Sequence, residues 1–372
     1  MRYCLTILFF ISTGALCEVA PDGAQMQTSF TKCENLDCGL YTSLKFRMED
    51  NFLTGRYVEG ESFFASSDGA KQFNTAFKPD KILTVYNHNT GKIYLSGKDY
   101  IPTETGISIP EGSSITLAPP GFENSVSSED LKNYGVKLST EFQTYQYAVS
   151  YYKSETFKQK TYGSLSAFKN KLGKYPTSIT FFGDSITDGA NATNSSAPPY
   201  QPGYAGLVMA RLNELYPNMV QYRNNSVGGW SAINATASVE YRVNDLKSDL
   251  VVLAFGMNDA GGYAPEEYKK HIKYVIDAIR AKQPETAILL VSPTRANPNT
   301  FVQKREYVDA YLPVLIGLSE SYENIAVADL TTPWDRLLKN KSYYDITGNG
   351  LNHPNDFGHR IIAEVVLNSI IN

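Results

Sequence analysis

The sequence predicts two folded parts of different character: an all-β sandwich followed by an α/β domain whose parallel sheet is covered by helices on both faces. Three observations carry this reading. The 372 residues correspond to about two domains at roughly 150 residues each. With 42% hydrophobic and 19% charged residues and no biased tract, the composition is that of a globular chain, not of a disordered tail or a coiled coil. Short strand-length runs bounded by turn residues fill one region, and apolar runs alternating with helical segments fill the next.

Taken in order, residues 1–17 open with Arg2 and an apolar run from Cys4 to Ser12, followed by the small residues Ala15 and Cys17. The run is too short to span a bilayer and reads as a secretory signal cut near Cys17/Glu18, with an N-terminal anchor as the competing reading. Export to the extracellular space is therefore expected, without stable membrane insertion after cleavage. Residues 18–43 are small and polar, an N-terminal tail in which Cys33 and Cys38 form either a local disulfide or two free thiols.

Residues 44–163 are expected to form the sandwich. Lys81–Tyr86, Lys92–Leu95 and Gly106–Ile109 alternate with Asn-His-Asn-Thr-Gly, Pro-Glu-Gly-Ser and Pro-Pro-Gly turns, and Glu141–Tyr152 holds the last strand. A short helix between Ser164 and Leu172, ahead of Tyr175-Pro176, opens the second domain at 164–372. Its strands are expected at Ser178–Phe182, Leu250–Phe255, Ala287–Val291 and Ile325–Ala328. After Pro265, apolar Tyr268, Ile272, Val275, Ile276 and Ile279 share one helical face, and Ile361, Ile362, Val365, Val366 and Ile370 repeat the pattern near the C-terminus. These stripes are core.

Charge narrows the function. With 34 Lys+Arg against 38 Asp+Glu, the net charge of −4 offers no basic field for a nucleic-acid backbone. Asn-x-Ser/Thr sequons at Asn191, Asn194, Asn224, Asn234 and Asn340 are about as many as chance gives.

The strand Ser178–Phe182 runs into Gly183-Asp184-Ser185, which places a serine at the carboxyl end of the sheet, where open α/β folds bind ligands. Alone, the tripeptide is equally a polar turn capping a helix. A nucleophilic serine needs a base and hydrogen-bond donors for its oxyanion. Of the four histidines, His88 lies in a β-domain turn and His271 on a charged helical side, both read as surface residues, while His359 packs or caps at a helix start. His353 remains: Pro354 keeps it out of a helix, so its ring can be aimed over the sheet end. Donors stand at two further strand ends, in Gly228-Gly229-Trp230 and at Asn258.

Gly183-Asp184-Ser185, Gly229, Gly256-x-Asn258-Asp259 and His353-Pro354 resemble, in order and context, the four blocks of the SGNH (GDSL-type) hydrolase superfamily, over Ser178 to Ile370. The resemblance implies a three-layer α/β/α, flavodoxin-like domain and a serine esterase that uses neither metal nor cofactor. Carried over by position, Ser185 is the nucleophile and a backbone donor, Gly229 and Asn258 complete the oxyanion hole, and His353 is the base. Gly228 is the rival to Gly229. The preceding sandwich resembles the accessory domain of carbohydrate-active SGNH esterases.

One position departs from the family pattern. The Asp that usually precedes the catalytic His by three residues is here Gly350. A carboxylate orients the imidazole and stabilises the imidazolium, so a substitute is needed. A backbone carbonyl in a Ser-His dyad is the favoured reading, with Asn349, Asp345 and Asp356 as the other candidates. Tyr200, Tyr204 and Trp230 flank the catalytic loops and are candidate stacking platforms for sugar rings, or else core. Small acyl esters, above all acetyl on a glycan, are the expected substrates. A broad-specificity secreted lipase or esterase and a degenerate carbohydrate-binding protein are the alternatives. A glycan on Asn224 would obstruct the oxyanion hole, so that sequon is expected to stay unused.

Overall fold

The computed structural model describes residues 52–69, 71–194 and 196–372. The signal, the tail, the Cys33/Cys38 pair and the first residues of the expected sandwich lie outside the described residues.

The N-terminal part contributes β1 (Tyr57–Phe64), β2 (Gln72–Asn74), β3 (Lys81–Asn87), β4 (Ile93–Tyr94), β5 (Ile101–Thr103), β6 (Gly106–Ser108) and β7 (Gln146–Tyr152). They form two antiparallel sheets, β1-β7-β3-β4 and β2-β6-β5. Phe63, Val85, Tyr147, Val149 and Tyr151 of the first sheet and Ile107 of the second share one apolar core. Strand β1 is buried along most of its length instead of alternating, because its two faces both meet protein. Its register slips between Val58 and Glu61, where Gly60 takes a left-handed φ of +55°.

The α/β part contributes β8 (Tyr162–Gly163), β9 (Thr177–Gly183), β10 (Val220–Asn224), β11 (Leu250–Ala254), β12 (Ala287–Val291) and β13 (Ile325–Ala328) in one sheet ordered β10-β9-β11-β12-β13-β8. All neighbours pair in parallel except β8, which runs antiparallel to β13 at the edge. Numbered from β9, the parallel strands lie in the order 2-1-3-4-5 of the flavodoxin-like fold. Alternate residues of β11 face opposite ways: Leu250 and Val252 pack with helices 204–215 and 356–371, Val251 and Leu253 with helices 232–242, 265–282 and 305–320. The order of the strands reverses between β9 and β11. Ligands bind at such a switch point, beyond the carboxyl ends of the strands, and β9 ends at Gly183, two residues before Ser185.

The expected strands at Ser178–Phe182, Leu250–Phe255, Ala287–Val291 and Ile325–Ala328 and both apolar helical stripes occur in the structure, the ends differing by a residue at most. Tyr162 and Gly163, read with the sandwich, pair instead with Val327 and Ala326 of the α/β sheet.

Candidate active site

The turn that carries Ser185 is built locally. Asp184 precedes a single helical turn, Ser185–Asp188, and its carboxylate accepts from Ile186 N at 3.0 Å. Ser185 thus opens the turn, where a backbone N–H has no partner four residues back. Burial raises Asp184 to about 7 and Asp259 to about 6.

The Ser185 Oγ lies 2.9 Å from Nε2 of His353, 168 positions away in sequence. His353 sits on a loop fixed at several points. Gly348 N donates to the His353 carbonyl at 2.9 Å, and the Asn349 Oδ1 accepts from the backbone N–H of Leu351, Asn352 and His353 at 2.9, 3.0 and 3.1 Å. Asn355 caps the following helix through Gly358 N at 3.0 Å.

The other ring nitrogen, His353 Nδ1, donates to the side-chain Oδ1 of Asn191 at 2.9 Å. With the Nδ1 proton held there, the Nε2 lone pair faces the serine, which is the tautomer a general base requires. Asn191 belongs to none of the readings offered for the orienting group. The favoured backbone carbonyl is replaced by a side-chain one, and the three named residues are engaged elsewhere. Asn349 holds the backbone of the loop. Asp345 accepts from Phe64 N at 2.8 Å and from Ser342 N at 2.6 Å. Asp356 accepts from Thr193 N and Thr193 Oγ1, each at 2.7 Å, and lies 2.5 Å from His88 Nε2. Gly350 has a φ of +72°, and a Cβ there would stand 2.5 Å from the Phe142 ring, so a carboxylate cannot occupy the position. The sequence marks Asn191 only as a sequon, six residues after Ser185.

The expected donors lie on loops that follow β10 and β11. Val227 and Trp230 close a turn at 3.3 Å, in which Gly229 takes a φ of +78° that glycine adopts without strain. Gly228 lies on the same turn, and a Cβ on it would be 3.8 Å from that of Ser185. The Asn258 Nδ2 donates to the Trp230 carbonyl at 2.8 Å, which fixes the amide plane and leaves its second N–H for a ligand. Asp259 joins the same loops by accepting from Ala232 N at 2.9 Å.

Burial, with a smaller contribution from His359, lowers the His353 pKa to about 4. His359 packs as expected: it is buried, accepts from Tyr204 N at 3.2 Å through Nδ1 and donates to the Ala190 carbonyl at 3.0 Å through Nε2. His88 and His271, read as surface residues, are partly buried. The first reaches across to Asp356, and the half-buried ring of the second meets Tyr263 edge-on at 5.1 Å. Tyr204 is core, 1% exposed with its hydroxyl on Thr187 Oγ1, which removes it as a sugar platform. Tyr200 is exposed, and the Arg242 guanidinium lies 4.6 Å over the Trp230 ring. Among the described residues, no group of three or more His, Cys, Asp or Glu side chains is placed to hold a metal ion, and no helix is long and apolar enough to cross a membrane.

Comparison with known proteins adds the family. No curated protein matches the chain by sequence. Similar solved structures include an acetylxylan esterase from Geobacillus stearothermophilus, 22% identical, with a TM-score of 0.43 over 54% of this chain and 96% of that one. An α/β hydrolase from the metagenome of Lake Arreo, Spain, is 21% identical, with a TM-score of 0.45 over 54% of this chain and 99% of that one. Residues 181–361, from the end of β9 into the last helix, match the family model of the GDSL-like lipases and acylhydrolases. The α/β domain belongs to that GDSL-like lipase/acylhydrolase family, and the protein is a hydrolase of the SGNH type.

Proposed function

We propose that the protein is a secreted serine esterase that removes small acyl groups, acetyl above all, from a carbohydrate. The observation that carries the chemistry is the line of contacts from Ser185 Oγ through both ring nitrogens of His353 to the Asn191 Oδ1. In this reading His353 Nε2 takes the serine proton as Oγ attacks the ester carbonyl. The backbone N–H groups of Ser185 and Gly229 and the Asn258 amide receive the oxyanion, with Gly228 as the alternative to Gly229. His353 then returns the proton to the departing alcohol, and water repeats the cycle on the acyl-enzyme.

Export is read from residues 1–17, and the carbohydrate from the sandwich and from Tyr200 and Trp230 beside the catalytic loops.

The test is acetate release from a panel of acetylated polysaccharides, alongside p-nitrophenyl esters of increasing chain length. Turnover of the acetyl esters, lost in Ser185→Ala, is expected. Preference for long chains would make the protein a lipase instead, and glycan binding without turnover in either protein would make it a binding module.

A further inference from the structure

The loop that carries Asn191 is held from outside its own domain. Asn191 has a left-handed φ of +63°, which asparagine tolerates better than most residues but which still needs support. Gln143, on the β-domain segment just before β7, donates its Nε2 to the Asn191 carbonyl at 2.8 Å. Two residues further on, Thr193 is bound through backbone and side chain to Asp356, whose Oδ2 also meets His88, another β-domain residue. The fit is close. A Cβ on Gly348 would stand 2.5 Å from the Gln143 Nε2 and 2.8 Å from the Asn191 Cβ, so this glycine lets the three segments meet. Gly348 in turn donates to the carbonyl of His353 itself.

We propose that Gln143 is a positioning residue for catalysis: from the β domain it fixes Asn191, and through Asn191 it fixes the tautomer and aim of the His353 ring. The sandwich is then part of the catalytic framework and not only an appended module. This inference rests on the esterase reading above. Loss of the Gln143 donor lets the Asn191 backbone turn, moves Oδ1 off Nδ1 and frees the imidazole to rotate. A base displaced by a fraction of an ångström costs turnover more than binding.

The experiment uses the full chain and four proteins: wild type, Gln143→Leu, Asn191→Ala and the double variant. Gln143→Glu, of the same length but unable to donate, is read in the same way if the leucine variant does not fold. Gln143→Leu is expected to lower kcat on an acetyl ester roughly ten- to a hundredfold with KM nearly unchanged. In the Asn191→Ala background it should cost nothing more. Equal losses in both backgrounds, a rise in KM alone, or an unchanged kcat would overturn the proposal. Wild-type turnover that survives Ser185→Ala would defeat the esterase reading separately. The inference is then decided by the His353 Nδ1–H resonance of histidine-labelled protein, which Gln143→Leu must shift; an unmoved resonance overturns it.

Discussion

Beside an imidazole, a carboxamide and a carboxylate fix the same tautomer but differ in charge. Burial, with a smaller contribution from His359, disfavours the charged ring, so His353 stands at about 4 instead of 6.5, and the Asn191 Oδ1, which accepts a hydrogen bond from Nδ1, brings no negative charge to offset this. The base must be neutral to act. A lowered pKa therefore extends activity toward acid, and the acidic limb of kcat/KM is expected near pH 4. Asn191→Asp should raise that limb by a pH unit or more, because a buried carboxylate favours the protonated ring; a profile that stays in place would remove Asn191 from contact with His353. Asn258→Ala is expected to cost about 3 kcal/mol in the activation barrier, since one oxyanion donor is worth that much elsewhere. A loss under tenfold in kcat would take the amide out of this role. Ser185 and His353 were legible because serine between strand and turn, and histidine before proline, are local patterns tied to a sheet edge. Asn191 was not, because its role depends on how a polar loop folds back over residues more than 150 positions away, and no periodicity encodes that.

Among the elements, legibility followed local pattern as well. Strands β9, β11, β12 and β13 are short apolar runs and could be read directly, whereas β1, with the sequence YVEGESFF, hides a buried charge in its middle. Glu61 is fully buried: its Oε1 accepts from Ala76 N at 2.8 Å and lies 3.0 Å from Lys341 Nζ, and Tyr151 donates to its Oε2 at 2.6 Å. Its partner, Lys341, comes from the other domain. Burial alone would lower the Lys341 pKa, but Asp345 and Glu61 hold it raised, so Lys341 stays charged in this buried contact. Removing one member of such a pair strands the other charge. Lys341→Met is expected to destabilise the protein by about 3–5 kcal/mol, with part of this recovered in Lys341→Met/Glu61→Leu. Denaturant unfolding monitored by circular dichroism measures both, and a single variant within about 1 kcal/mol of wild type would mean that water or another group already serves Glu61.

The two parts of the molecule are joined by far more than a linker. Helix 356–371 carries an apolar stripe, yet nearly all its residues from Asp356 to Ile370 are buried, because the β domain covers the side away from the sheet. Arg360 donates to the carbonyls of Glu59 and Gly60, each at 2.7 Å, at the register slip in β1. A Cβ on Gly60 would run into the Tyr86 hydroxyl and stand 3.2 Å from that guanidinium, so the glycine makes room for both. Glu364 accepts from Phe52 N at 3.0 Å, and burial raises it to about 8, so near neutral pH it is mainly a protonated, uncharged group in this interface. One apolar core runs without interruption from Val58, Phe63 and Tyr151 of the sandwich to Ile361, Val365 and Val366 of the last helix. Domains that share a core and place charged and polar groups in each other cannot unfold independently without exposing that surface. A single calorimetric transition is therefore expected, with the signals of the sandwich and of the α/β domain lost together and activity lost with them. Two resolved transitions, with esterase activity surviving the first, would show that the sandwich is dispensable and would separate the fold of the catalytic loops from the domain that meets the α/β part through Gln143, His88 and the Arg360 contact.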